Sequence, residues 1–399
     1  MRSSQSSSIP RSSESVVDCV RYVIFTGANE RAVVAICRHF RRSGIACSLI
    51  ARPGQDPLRK TSFVGWIEAV RGVDRLEADD MLAAFTQIKA RHAGERLIFL
   101  PTAESIIRLV LDKREAFEAA GLEVPLVDKS LYERVSDKAS FLELMAGVGM
   151  SLPPRIDRVV ASDLPMVAKP FHEVSPRSGR KLYPELIFTE QALEAFLAGR
   201  GGEDYFFQRY LDGRSYYFLA FFPRSGEPTV RYQENLLQQP NGKSMLAARL
   251  CECPDPWSEQ CLIRGFQSVG FFGFVMVELI EANGVFHLIE ANPRLWGPFE
   301  LAIKAGLRPE AIAGAAGHER GSKRALYLWT SGLALSLFAG GRPRRYPQYL
   351  RKLVSRPSAL LGADIYLRMD TLRLLGHELK SALGLTIHQV RSRLSETNL

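Results

Sequence analysis

The segment Gly273–Arg294, reading GFVMVELIEANGVFHLIEANPR, constrains this chain more than any other stretch. Two β-prone runs, FVMVELI and VFHLIEA, flank Ala-Asn-Gly, and Asn283-Gly284 is the pair that tight hairpin turns select. Such a hairpin makes Glu278 and Glu290 near cross-strand neighbours. Asn292 lies two residues beyond Glu290 and points to the same face. Two carboxylates and an amide oxygen facing one way form a hard-oxygen set. That set suits Mg²⁺, with Mn²⁺ as a substitute, because Mg²⁺ takes one or two carboxylates and completes its shell with phosphate oxygens and water. Carboxylates inside VELI and LIEAN are costly if buried unpartnered. The bland alternative is that each pairs with Lys or Arg on a solvated sheet face. The order Glu, then Glu-x-Asn-x-Arg, favours the metal site over that alternative.

The N-terminal half has a different texture. VRYVIFTGA (Val20 to Ala28) is a strand running into a turn, NERAVVAICRHFRRSG has helical spacing ending at Gly44, and IACSLIA (Ile45 to Ala51) is a second strand. Strand, helix, strand at this length is a βαβ unit. RLIFLP (Arg96 to Pro101) adds a strand and TAESIIRLVLDKREAFEAAG a helical stretch, giving an open α/β domain with a parallel sheet over about residues 16–130. The turn TGANERA has one glycine, so it does not carry the G-x-G-x-x-G signature of a dinucleotide site.

From Ser136 the pattern becomes α+β. SDKASFLELMAGVGMSLPP reads as a helix capped by Ser136 or Asp137 and ended by Gly147, Gly149 and two prolines. PMVAKPF is a short strand bearing Lys169, HEVSPRSGRKLYPE a polar loop, and ELIFT a returning strand. TEQALEAFLAG is a helix capped by Thr189, and YFFQRYLDG and SYYFLAFF are strands. Leu326 to Gly341, too short to span a bilayer, reads as a buried helix.

The ordered set SDKASF, MVAKPF, FFQRYLDG, VELI and HLIEANPR resembles the ATP-grasp superfamily, over about Ser136 to Gly306. The resemblance implies a Rossmann-like pre-ATP-grasp domain (16–130) followed by an ATP-grasp domain (131–320) of two α+β subdomains. Residues 131–205 would carry the central lid subdomain and 206–320 the metal-binding one, with a disordered Ser-rich tail at 1–15 and a basic, mainly helical region at 321–399. It implies ATP and Mg²⁺ as cofactors. Lys138 and Lys169 would contact phosphates, and Gln208, Arg209, Tyr210 and Leu211 would line the adenine pocket. Glu278, Glu290 and Asn292 would hold the metal, and Arg294 would stabilise the acyl-phosphate transition state. RYQENLLQQPNGKSM resembles a carboligase strand and loop, which would make Arg231 a second catalytic arginine, with Lys243 where relatives carry glycine. Arg209 stands where many relatives carry Glu, and the lid loop has one glycine, Gly179, beside the basic cluster Arg177, Arg180 and Lys181. The C-terminal region looks like that of stand-alone, D-aspartate ligase-like carboxylate–amine ligases and unlike that of biotin carboxylase. The implied reaction joins a small carboxylate to an amine through an acyl phosphate. A thiol or bicarbonate acceptor, or a non-catalytic regulatory ATP-binding protein, are the competing expectations. Relatives are often homodimers.

Charge and cysteine content exclude other classes. The net charge is +9, and Gly341 to Leu399 holds eleven Lys or Arg against four Asp or Glu, so the excess is concentrated in a region that would suit an anionic partner. That region lacks the interleaved aromatics of a nucleic-acid binder. Six cysteines at irregular spacing, with Cys251-x-Cys253 lacking a partner pair, point to free thiols in a reducing, cytoplasmic setting. The Ser-rich N-terminus has no apolar core of a secretory signal. His172, His287 and His318 sit in no motif that singles one out as a base.

Overall fold

A computed structural model describes residues 19–171, 177, 182–200, 204–239, 244–314, 321–338, 344–345 and 362–396. The Ser-rich tail, His172, Gly179, Arg180, Lys181, Lys243, His318 and, in the basic segment after Gly341, residues 342–343, 346–361 and 397–399 lie outside them.

Near-continuous apolar runs make strands that need cover on both faces, and the N-terminal part of the chain forms such a sheet. Strands β1 (Val20–Phe25), β2 (Ala46–Ala51), β3 (Ile67–Val70), β4 (Arg96–Phe99) and β5 (Leu122–Glu123) form a parallel sheet in the order β3-β2-β1-β4-β5. Helices α1 (Glu30–Ser43), α2 (Ala78–Arg91), α3 (Glu104–Asp112) and α4 (Arg114–Ala119) follow in chain order. The helical stretch expected after β4 is thus two helices, broken at Lys113.

Helices α5 (Lys129–Ser136) and α6 (Lys138–Ala146) lead into a four-stranded antiparallel sheet. Its strands are β6 (Arg155–Ile156), β7 (Met166–Pro170), β8 (Glu185–Ile187) and β9 (Tyr205–Arg209), ordered β6-β9-β7-β8. Helix α7 (Glu190–Arg200) packs Leu193 and Phe196 against it. Asp137 caps α6 by accepting from the Ser140 amide at 2.9 Å, which sets Lys138 as the first helical residue.

The largest sheet is antiparallel. It contains β10 (Arg214–Phe222), β11 (Thr229–Gln238), β12 (Met245–Cys251), β13 (Gly273–Ala282), β14 (Val285–Asn292) and β15 (Leu326–Leu328), ordered β14-β13-β10-β11-β12-β15, with β16 (Arg344–Arg345) against β11. Helices α8 (Pro256–Ser268), α9 (Phe299–Lys304), α10 (Thr330–Phe338) and α11 (Leu372–Glu396) accompany it. No helix among the described residues is long and apolar enough to cross a membrane.

Two expectations need correction. Leu326 to Gly341 is not one buried helix: Leu326–Leu328 pairs with β12, and among the described residues of this stretch only Thr330–Phe338 is helical. The edge of β12 gains backbone partners this way, including Trp329 N donating to Leu246 O at 2.8 Å. A short apolar run fits a strand or a buried helix equally well, and the open sheet edge decides. The stretch LWGPFELAIKAGL after Arg294, whose sequence also reads as an apolar helix, is helical only over Phe299–Lys304.

Gly213 marks a close approach just before β10. A Cβ there would lie 2.0 Å from the Glu281 carbonyl oxygen of β13. Gly213→Ala is therefore expected to lower stability by about 1–3 kcal/mol, as overpacking against backbone does, read as a lower urea midpoint.

Candidate active site

The β13–β14 hairpin closes at Asn283 (φ 52°) and Gly284 (φ 77°), the two positive-φ positions its turn demands. Near the turn the pairing is regular, with Ala282 opposite Val285 and Leu279 opposite Leu288. That register would put Ile289 opposite Glu278. A bulge intervenes, and Glu278 pairs with Glu290 instead, with Met276 opposite Asn292. The extra residue is Ile289, whose carbonyl accepts from Lys169 Nζ at 3.4 Å. The bulge turns both carboxylates to one face.

Two lysines from other elements meet this pair. Lys138 Nζ lies 3.2 Å from Glu290 Oε2. Lys169, on β7, is buried, at 5% exposure. Burial lowers its pKa to about 8, with Glu290 pulling it back up and Lys138 pushing it down. Burial pushes Glu290 up, but Lys138 and Lys169 outweigh it and hold the carboxyl well below its usual range. Asn292 Nδ2 donates to Glu290 Oε1 at 3.1 Å, and Arg294 Nη2 donates to Asn292 Oδ1 at 2.7 Å. Glu278 is fixed from the other side. Gln233 Nε2 donates to Asn235 Oδ1, Asn235 Nδ2 to Ser215 Oγ, and Ser215 Oγ to Glu278 Oε1, at 2.7, 2.7 and 3.0 Å.

The carboxylates stand between two cavities. One, about 350 Å³, is lined by Lys138, Lys169, Gln208, Arg209, Tyr210 and Leu211, with Val167, Leu186, Phe188 and Ile280 as an apolar clamp. Gln208 is buried between β6 and β7, where its Nε2 donates to Pro153 O at 3.4 Å. Its buried Oε1 has no partner among the described residues. Arg209 points outward and pairs with Asp163 at 3.7 Å, and the Tyr210 ring stands edge-on to Phe188 at 5.0 Å. The second cavity, about 330 Å³, is polar and runs from Glu278, Glu290, Asn292 and Arg294 to Arg31, Thr102 and Trp296.

Ten of the eleven site residues expected from the sequence line one or both cavities. Arg231 does not. It lies four residues, about 13 Å of extended strand, from Asn235, and its Nε donates to Ala305 O at 2.7 Å beside Cys251 and Cys253. Arg177, the one described member of the lid cluster, is exposed. His287 turns Nδ1 toward Leu152 O at 3.2 Å. The sequence reading missed Ser215, Gln233 and Asn235. Gln-x-Asn on one face of β11 was the available signal. No three His, Cys, Asp or Glu side chains among the described residues group as a metal site. A cation at Glu278 and Glu290 must therefore draw further ligands from Asn292, water or a bound phosphate, which is how Mg²⁺ is held beside polyphosphates.

No protein-family model matches the chain, and no curated protein matches it significantly in sequence. Solved structures match by fold. The biotin carboxylase domain of Hydrogenobacter thermophilus 2-oxoglutarate carboxylase, a dimer in complex with MgADP, ADP and bicarbonate, aligns at TM-score 0.56 and 14% identity over 77% of this chain and 74% of its own. Campylobacter jejuni biotin carboxylase aligns at TM-score 0.57 and 12% identity, over 77% and 75%. N5-carboxyaminoimidazole ribonucleotide synthetase from Thermus thermophilus aligns at 0.54 and 16%, over 77% and 82%. These are ATP-grasp enzymes, and this chain has their fold. The likeness reaches both enzyme types, so fold alone does not favour the D-aspartate ligase-like subgroup that the C-terminal region resembles.

Proposed function

We propose that this ATP-grasp chain is an ATP-dependent ligase that activates a carboxylate as an acyl phosphate and joins it to an amine. One observation carries the reading: the paired carboxylates Glu278 and Glu290 stand where two cavities meet, with Lys138 and Lys169 on the side of the first and Arg294 on the side of the second. That arrangement fits a nucleotide on one side and its phosphoryl acceptor on the other. When bound, Mg-ATP supplies the phosphoryl group and the divalent charge that Glu278 and Glu290 would hold.

The chain's own residues do the rest. Lys138 and Lys169 would neutralise polyphosphate charge; burial lowers the Lys169 pKa, and an adjacent phosphate would raise it again. The Gln233–Asn235–Ser215 series donates toward Glu278 and keeps its carboxylate an acceptor. Arg294 presents a guanidinium beside the carboxylates for charge developing on the acceptor oxygens. The unpartnered Gln208 Oε1 fits an exocyclic amine in an apolar slot. Gln208→Leu is expected to raise the Kd of a non-hydrolysable ATP analogue about tenfold, measured by calorimetry, because that amine is then buried unpaired.

The test is ADP release from Mg-ATP against a panel of carboxylic acids crossed with amines. ADP formation that needs one acid and one amine together supports the reading, and failure to bind Mg-ATP ends it. The bicarbonate in the Hydrogenobacter domain favours one second reading, a different acceptor, so bicarbonate and a thiol belong in the panel.

A further inference from the structure

The second cavity holds a cation and two donors that the ligase chemistry above leaves unused. Arg31, on the first turn of α1, reaches across the domain boundary. Its Nη1 donates to Met245 O at 3.0 Å, its Nη2 to Ser244 Oγ at 3.3 Å, and its guanidinium lies 4.0 Å over the Trp329 ring. Among the described residues no carboxylate lies within 4.0 Å of it. Gly297 makes room for it, since a Cβ there would fall 2.7 Å from Arg31 Nη2. Beside it stand two buried donors, Thr102 Oγ1 and the Trp296 indole N–H, each on a residue 1% exposed and each without a partner among the described residues.

Arg31, Thr102 and Trp296 come from three connections that the fold pins together. Asn29 is held in the left-handed conformation, and its Nδ2 donates to Thr102 O at 2.8 Å and Leu295 O at 3.0 Å. The loops after β1, β4 and β14 are thereby fixed around one space. The cavity's other charged groups are engaged. Glu104 accepts from Arg108 at 2.8 Å, Arg294 is bonded to Asn292, and Glu290 is paired with Lys138.

A guanidinium without a carboxylate and two buried unpaired donors are costly unless a ligand completes them. The guanidinium and the indole N–H can only donate, and the Thr102 hydroxyl is free to donate with them, so together they favour an anion. The planar guanidinium fork adds a preference for carboxylate or phosphate geometry. We propose that the substrate carries a second anionic group, a phosphate or a second carboxylate, seated on Arg31, Thr102 and Trp296. Its reacting carboxylate then faces Glu278, Glu290 and Arg294. The substrate class is thus a carboxylate with two anionic ends, or a phosphorylated carboxylate. This rests on the ligase reading for which carboxylate reacts, while the anion site itself rests on the cavity alone.

The experiment is calorimetric titration of the full chain, saturated with Mg²⁺ and a non-hydrolysable ATP analogue, with inorganic phosphate, succinate and acetate. Wild type should bind phosphate or succinate at least about tenfold more tightly than acetate, and Arg31→Met should remove that advantage. Thr102→Val, a near-isosteric change, should weaken the preferred anion several-fold. Binding of the nucleotide analogue to each variant reports that it is folded. Preference for phosphate identifies a phosphorylated substrate, and preference for succinate a dicarboxylate. Acetate binding as tightly as both, no anion binding to wild type, or equal binding by wild type, Arg31→Met and Thr102→Val would each overturn the proposal. If the analogue does not bind wild type, the ligase reading fails by itself. The same titrations without nucleotide, with circular dichroism to show that the variants are folded, then still decide whether Arg31 and Thr102 form an anion site.

Discussion

Glu290→Ala should reduce substrate-dependent ADP release by about 10³-fold or more. A divalent cation contributes several kcal/mol of charge stabilisation in such a transition state, and about 4 kcal/mol corresponds to about 10³ in rate. The substitution also has an electrostatic effect with a definite sign. Glu290 raises the Lys169 pKa against burial, so its removal drops that value further below the present value of about 8. Lys169 then loses its proton at a lower pH, and nucleotide affinity in the variant should begin to fall at a lower pH than in wild type. Paired measurements of ADP release and analogue binding between pH 6 and 9 check both effects. Retention of ADP release within tenfold of wild type would remove Glu290 from the chemistry and with it the proposed metal site.

The second large effect is on stability. Arg38→Met should cost about 3 kcal/mol, because removing one partner of a buried ion network strands the others. Arg38, 5% exposed on α1, donates from Nε and Nη2 to the two Asp370 oxygens, each at 2.8 Å, and from Nη1 to Glu300 Oε2 at 3.3 Å. Its Nη2 also donates to Ile365 O at 3.1 Å. One side chain thus joins α1, α9 and the segment leading into α11. Glu300 keeps Lys304 at 3.0 Å and its ion pair with Arg368, which places the cost at the lower end of the range for buried pairs. Burial pushes Asp370 up, but the Arg38 hydrogen bonds outweigh it and hold the carboxyl below its ordinary value. The pair's contribution is therefore whole above the ordinary aspartate pKa and is lost as pH falls through the lower folded value. Urea midpoints should show the gap between wild type and variant wide at pH 7 and narrowing in strong acid. A gap that stayed constant across that range would mean that Arg38 acts by packing and not by charge.

The legible parts of this molecule were those fixed within a few residues. Asn283-Gly284 fixes a turn because both residues tolerate positive φ, and Asp137 fixes the start of α6 by bonding the Ser140 amide. Lys138, Lys169 and Gln208 could be singled out because each stands in a short ordered pattern, and all three line one cavity. Arg231, singled out by the resemblance of RYQENLLQQPNGKSM to a carboligase strand and loop, lies outside both cavities, because a short motif does not carry its distance along the sheet from the site. Leu326–Leu328 was misread because an apolar run does not carry the identity of the partner that needs it.

By itself, then, the sequence determined the first βαβ unit, the capped start of α6, the hairpin turn and most of the residues that could carry charge into a site. Local hydrogen bonding and side-chain periodicity act over a few residues, and the sequence contains that information in full. Only the tertiary structure decided whether Glu278 and Glu290 face each other. The regular register from Asn283-Gly284 would have put Glu290 on the opposite face, and the bulge at Ile289, whose carbonyl Lys169 reaches, reverses that. It also brought Arg31, Thr102 and Trp296 to one cavity from segments far apart in the chain. Their meeting depends on how the parallel sheet and the largest antiparallel sheet pack, and packing is a property of all the buried surfaces together, not of any stretch that contributes to them.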